Sequence, residues 1–311
     1  MSGSMMHILR AASSTLWAIQ AEKLDAVLAF LALRASGERF TREEVAARIG
    51  AKRERPGQPP QGSGVAVIPV YGVIAQHMAQ VDDISSGGGT STEEIGAMFD
   101  QALADPDVGT IILAVDSPGG TVYGVPELAA RIFAARGQKK VVSVASSLAA
   151  SASYWLASQA EEMVASPSAE VGSVGVYSAH IDMSGAQEQA GMKVSIFSAG
   201  KYKAEGALGQ PLSDEAKVAE QARVDEMYGM FVADVARGRN VKPADVRGGF
   251  GEGRVVGAKQ AKALSMVDRV ATLEETVARY LKRAAPRVGA NADTLRKDLA
   301  LKALAPGRPI S

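Results

Sequence analysis

The chain has no cysteine among its 311 residues. That excludes a disulfide framework, a zinc–thiolate site, an iron–sulfur cluster and a cysteine nucleophile. Histidine is scarce. His7, His77 and His180 are the three present, too few for a histidine-rich metal site, and no metal or other cofactor is expected. Neither sign of charge dominates: Lys+Arg and Asp+Glu are 34 each, so a bulk polyanion such as nucleic acid is not an expected partner. Long apolar runs are missing too. The stretch from Leu16 to Leu33 carries Glu22, Lys23 and Asp25. Each such charge costs about 2.5–3.5 kcal/mol at the centre of an inserting helix, so no membrane span is expected. Leu24, Val27, Leu28 and Leu31 fall at i, i+3, i+4 and i+7 instead, which predicts an amphipathic helix. Hydrophobic residues at 47% and charged residues at 22% are ordinary for a soluble folded protein with a sizeable core. The 32 glycines suit close backbone approaches. A cytoplasmic setting is expected.

Residues 1–54 read as a helical N-terminal appendage, with Thr41 as N-cap and Glu44 three residues on. Residues 55–64 hold Pro56, Pro59, Pro60, Gly57, Gly62 and Gly64, a linker. The main domain spans 65–283, and residues 284–311 read as a mobile basic tail with Pro286, Pro306 and Pro309. Within the main domain, strands are predicted at Val65–Val70, Thr110–Val115, Val141–Val144 and Val194–Phe197. The second has no polar alternation, as a strand buried on both faces requires. Helices are predicted at about 92–104, 124–136, 151–162 and 184–190, with a long one over 213–238. Strands alternating with helices argue for an α/β fold with a mainly parallel sheet.

Four segments have the residues for chemistry. Asp116-Ser117-Pro118-Gly119-Gly120 follows a buried strand, where paired glycines expose backbone N–H groups to a ligand. Ala149-Ala150-Ser151-Ala152-Ser153-Tyr154-Trp155 opens a helix, placing Ser151 where the helix dipole favours developing negative charge. By itself Ser151 reads more readily as a plain N-cap. Gly172-Ser173-Val174-Gly175-Val176 is a small-residue turn. Gly200-Lys201-Tyr202-Lys203 offers two amines two residues apart, on one face if the segment is a strand, and spacing does not choose between them. His180, near Asp182, offers a histidine base instead. Ser85–Ser91 is glycine-rich but lacks a phosphate-loop lysine and reads as a mobile loop beside the cleft.

Taken in order, Asp-Ser-Pro-Gly-Gly, Ala-Ala-Ser-Ala-Ser-Tyr-Trp, Gly-Ser-Val-Gly-Val and Gly-Lys-Tyr-Lys resemble the signal peptide peptidase A family of Ser–Lys proteases. The resemblance covers about residues 65–280 and includes Gly253–Ala261 and Leu264–Asp268. It implies a Clp-protease/crotonase-like fold. It also implies roles: Ser151 as nucleophile, Lys203 as general base, Ser173 as the hydroxyl that orients the amine, and the N–H groups of Gly119 and Ala152 as the oxyanion hole. Such a lysine works only with its pKa brought from ~10.4 toward ~7–8, which burial without a carboxylate achieves. The appendage is similar to that of the phage branch, which matures viral heads. Protein or peptide substrates are therefore implied, capsid and scaffold proteins among them, together with a homo-oligomeric ring in the host cytoplasm or viral procapsid. A cellular peptidase, a crotonase-like acyl-CoA enzyme and a silent scaffolding protein are the competing readings.

Overall fold

A computed structural model describes residues 15–25, 63–77, 89–207 and 210–284. The described residues begin with β1 (Trp17–Ile19) and a helical turn at 21–25, followed by β2 (Val65–Tyr71), β3 (Ile74–Ala75) and β4 (Thr90–Ser91). Next come α1 (Thr92–Ala104), β5 (Thr110–Ser117), β6 (Gly119–Thr121) and α2 (Val125–Ala134). The long β7 (Lys140–Ala150) runs straight into α3 (Ala152–Ala157), followed by β8 (Glu162–Ala165), β9 (Glu170–Gly172) and α4 (Ser184–Gln189). The last third is α5 (Asp214–Arg239), α6 (Pro243–Gly249), β10 (Val255–Gly257), α7 (Ala258–Ala263), β11 (Arg269–Val270) and α8 (Leu273–Ala284).

The fold is α/β, as the alternation predicts. Its main sheet runs β10-β9-β7-β5-β2, with β8 paired to β7 and β11 paired to β8, and β2, β5, β7, β8 and β9 are parallel neighbours. The apolar run of β5 serves both faces. Ile111, Leu113 and Val115 enter the larger core with α1, α2 and α3, while Ile112 and Ala114 pack with Tyr280 of α8. Each fully buried side chain of this kind contributes about 1.5–3 kcal/mol. β7 changes partner along its length. Val142–Ala145 pair with β8, and Leu148–Ala150 pair with β9. A second, smaller sheet in the order β1-β6-β3-β4 stands over the C-terminal ends of β5 and β7.

Gly120 sets the spacing of that second sheet. A Cβ there would sit 1.7 Å from the Ile74 carbonyl oxygen. Backbone cannot yield as a flexible side chain does, so Gly120→Ala is expected to cost more than about 3 kcal/mol. A thermal melt is the check, with Tm lower by roughly 6–12 °C for a domain of this size.

Two expectations need correction. Val194–Phe197 is not a strand: residues 191–203 are exposed and pair with no sheet. β-branched and aromatic side chains favour a strand only where an edge receives them. Lys201 and Lys203 accordingly lie in a turn and share no strand face. The helix expected from Leu16 is also displaced, because Trp17–Ile19 is a strand and helix begins at residue 21. Of the appendage and linker, residues 1–14 and 26–62 lie outside the described residues, as do 85–88 of the glycine-rich loop and 285–311 of the tail. Ser91, at the end of that loop, is the N-cap of α1 and accepts from the Glu94 N–H at 3.0 Å.

Candidate active site

β7 delivers Ser151 to the point where strand becomes helix. The serine is 1% exposed and has φ 57° and ψ −120°, a conformation that costs a non-glycine residue about 1–3 kcal/mol. Its backbone is held at both ends. The N–H donates to the Gly172 carbonyl at 2.8 Å, and the carbonyl accepts from the Trp155 N–H at 2.9 Å. The hydroxyl makes no capping bond to α3, so Ser151 is not an N-cap in the usual sense. Among the described residues its Oγ donates only to the Gly175 carbonyl, at 3.4 Å. The strained turn leaves the hydroxyl lightly held at the end of β7.

The helix behind the serine is rigidly seated. All six residues of α3 are buried. Trp155 stacks on Phe231 of α5 with ring centroids 4.4 Å apart and donates to Asp234 Oδ2 at 2.7 Å. Ser153 Oγ sits 2.9 Å from the Ser117 carbonyl and 2.8 Å from that of Ala150, tying the turn to the end of β5. Arg136 reaches the carbonyls of Gln159, Ala160 and Gly238 at 2.7, 2.6 and 2.8 Å, joining α2, the segment after α3 and the end of α5.

Gly119 and Ala152 are brought to the same place. A Cβ on Gly119 would lie 3.0 Å from Ser151 Cβ, and its φ of +100° suits glycine alone. Its N–H donates to Ser117 Oγ at 3.1 Å. Ala152 is the first residue of α3, so its N–H has no intrahelical acceptor. Ser173, also at positive φ (52°), follows Gly172, the residue that receives the Ser151 N–H, and donates its own N–H to the Arg254 carbonyl at 2.8 Å.

Lys203 is not brought in. It is exposed, and its backbone N–H turns back to the Gly200 carbonyl at 3.1 Å. Lys201 is exposed as well and donates to Tyr202 Oη at 2.6 Å and Glu215 Oε1 at 2.9 Å. Those two bonds raise its pKa, which makes it a poor base in this arrangement. His180 Nε2 faces the Gln210 carbonyl at 2.7 Å, and Asp182 Oδ1 accepts the Ser184 N–H at 2.9 Å. That bond, more than the nearby histidine, lowers the Asp182 pKa. No hydrogen bond joins His180 to Ser151 among the described residues.

One neighbour of the site has no counterpart in the sequence motifs. β1 lies against β6, and the Ala18 carbonyl oxygen is 2.1 Å from where a Gly119 Cβ would be. In the sequence Leu16-Trp17-Ala18-Ile19 is an unbroken apolar run; only the packing separates Leu16 and Ala18 from Trp17 and Ile19.

Residues 134–286 match the family described as peptidase family S49. The chain is 32% identical over 174 residues to the head-tail preconnector protein GP5 of Enterobacteria phage P21, covering 56% of this chain and 34% of that protein. It is 31% identical over 207 residues to the capsid assembly protease C of Escherichia phage lambda, covering 65% and 46%. The matched region thus spans less than half of either relative. Among solved structures it is similar to a ClpP1 point mutant from Listeria monocytogenes at 14% identity and a TM-score of 0.43, covering 68% of this chain and 94% of that one.

Proposed function

We propose, from the premise that the chain carries a peptidase family S49 domain over residues 134–286, that it is a serine endopeptidase with Ser151 as nucleophile. The observation that carries this reading is the strained, buried turn at Ser151 with Gly119 packed against it. A strand-to-helix turn of this kind places a nucleophilic hydroxyl at the end of a sheet. The first N–H of α3, which has no acceptor within that helix, lies beside it.

In the proposed reaction an amine takes the Ser151 Oγ proton as the oxygen attacks the peptide carbonyl. The Ala152 N–H and the Gly119 N–H, which leaves Ser117 Oγ, receive the oxyanion. Donors of this kind contribute about 3–4 kcal/mol each. Collapse expels the amine of the leaving peptide, protonated by the base, and water then releases the acyl group. Lys203 is the proposed base and Ser173 Oγ its orienting partner. Because Lys203 is exposed, we assign it to the Ser151 of a neighbouring copy in a homo-oligomer. Phe197 at 95% exposure and Ile196 at 48% lie on the same segment, apolar surface that a second copy would cover.

The relatives' names supply the substrate class. One is called a capsid assembly protease, so capsid and scaffold proteins in a procapsid or the host cytoplasm are the proposed targets. No helix among the described residues is long and apolar enough to cross a membrane.

The test is active-site labelling. A fluorophosphonate probe is expected to label the wild-type chain on one serine, and Ser151→Ala is expected to take up none. Labelling retained in that variant removes Ser151 from the mechanism. Tight coenzyme A binding by an unlabelled wild-type chain supports acyl-CoA chemistry instead.

A further inference from the structure

β1 is held from both sides. On one side Gln20 N–H donates to the Pro118 carbonyl at 3.1 Å and Val122 N–H to the Leu16 carbonyl at 3.2 Å, flanking the antiparallel register Ala18↔Gly120. On the other, Trp17 N–H donates to the Tyr177 carbonyl at 2.9 Å, and Tyr177 N–H returns the bond to Trp17 at 3.0 Å. Tyr177 lies two residues beyond Gly175, the acceptor of the Ser151 hydroxyl. The segment 16–20, with β1 at its centre, thus bridges two backbone edges that would otherwise frame an open slot beside the serine.

The packing of β1 separates into two parts. Leu16 and Ala18 reach the main core, with Ala18 fully buried. Trp17 and Ile19 join Leu24 and Val73 in a cluster of their own, against Tyr177. In the sequence, residues 21–64 separate this segment from β2. Strand addition at paired edges is a general mode of peptide capture, in which main-chain bonds supply affinity and alternate side chains supply selectivity.

We propose that the slot between β6 and Tyr177 is the polypeptide-binding slot of the Ser151 site, and that residues 16–20 are its resident, displaceable occupant. The proposal rests on the peptidase reading above and adds to it a substrate class and a restraint. Substrates enter as extended strands by exchanging with β1. They have a small residue in the Ala18 register, where the core leaves no room, and large apolar residues in the Trp17 and Ile19 registers.

The absence of cysteine makes a reversible lock available. Trp17 and Thr121 are cross-strand partners of the pair type that is not hydrogen-bonded within the ladder, the type with the closer Cα atoms, about 4.5 Å apart, within the range a disulfide spans. Thr121 Oγ1 is buried with no hydrogen-bond partner among the described residues, so replacing it removes no bond. In W17C/T121C, oxidation is expected to weaken binding of a fluorescent peptide of sequence 14–22 at least tenfold, read by anisotropy in the Ser151→Ala background. Casein hydrolysis in the Ser151 background is expected to fall at least tenfold as well. Reduction should restore both, and the wild-type chain should ignore the redox state. The opposite change is Ala18→Pro, which deletes a ladder donor and is expected to bind the peptide at least tenfold more tightly than wild type. Thermal melts confirm that each variant is folded. Binding and hydrolysis that ignore the lock, or an Ala18→Pro chain that gains no affinity, overturn the proposal while leaving the peptidase reading intact. Binding that obeys the lock with no hydrolysis in any variant removes the peptidase reading and upholds the slot.

Discussion

Ser151→Ala is expected to hydrolyse no measurable casein, a loss of at least about 10³-fold, while melting within a degree or two of wild type. The catalytic loss follows from the role proposed for the hydroxyl, since residues that act as a unit with a nucleophile fail together when it is removed. The stability expectation follows from geometry. The side chain caps nothing and makes one long bond, at 3.4 Å. Alanine at φ 57° bears about the same strain as serine, so the substitution neither relieves nor adds to it. A variant that is inactive because it is unfolded would differ in circular dichroism. One that is folded and active would place the nucleophile elsewhere.

Lys203→Ala is expected to be as inactive as Ser151→Ala, with Lys201→Ala retaining substantial activity. Lys201 is engaged by Tyr202 and Glu215, which favour its charged form. If the amine comes from a neighbouring copy, mixing Ser151→Ala with Lys203→Ala before assembly restores activity. A site is competent when its serine and its lysine come from different parents, roughly a quarter of sites in a randomly mixed ring with heterologous contacts. A mixture as inactive as its components places both residues in one chain. Reversed results for the two lysines assign the base to Lys201. The pH–rate profile separates a lysine from a histidine. Only the neutral amine accepts the serine proton, so kcat/KM rises with pH, and that limb disappears in Lys203→Ala. A histidine base would give a rise near its ordinary pKa of ~6.5, lost in His180→Ala. The bond from His180 to Gln210 leads us to expect normal activity in that variant.

The parallel core was legible because its strands are buried on both faces and read as unbroken apolar runs, Thr110–Val115 foremost. Helix α1 was legible at about its observed bounds, 92–104, while the Ser91 cap at its start was not. Ser151 was legible as a helix start, but its positive φ was not. That conformation is imposed by the Gly172 carbonyl and the seating of α3 on α5, contacts made across long stretches of chain. Val194–Phe197 misled because propensity was read without a partner strand, and the structure supplies none. β1 was missed for the converse reason. Three residues are too few to show a period, the leucines that follow fit a helix, and the partners at 119–121 and 177 are more than a hundred residues away.

That separation orders events during synthesis. Trp17 leaves the ribosome well before Tyr177. At about 5–20 residues per second the interval is roughly 10–30 s. Residues 119–121 emerge part-way through it, and until Tyr177 follows the segment 16–20 has at most one edge to pair with. Once the later segments emerge and the sheet closes, its nearest available strand is the one tethered to the same chain. Any other polypeptide must compete with that local concentration, so under the proposal above the newly made protein emerges with residues 16–20 already in the slot.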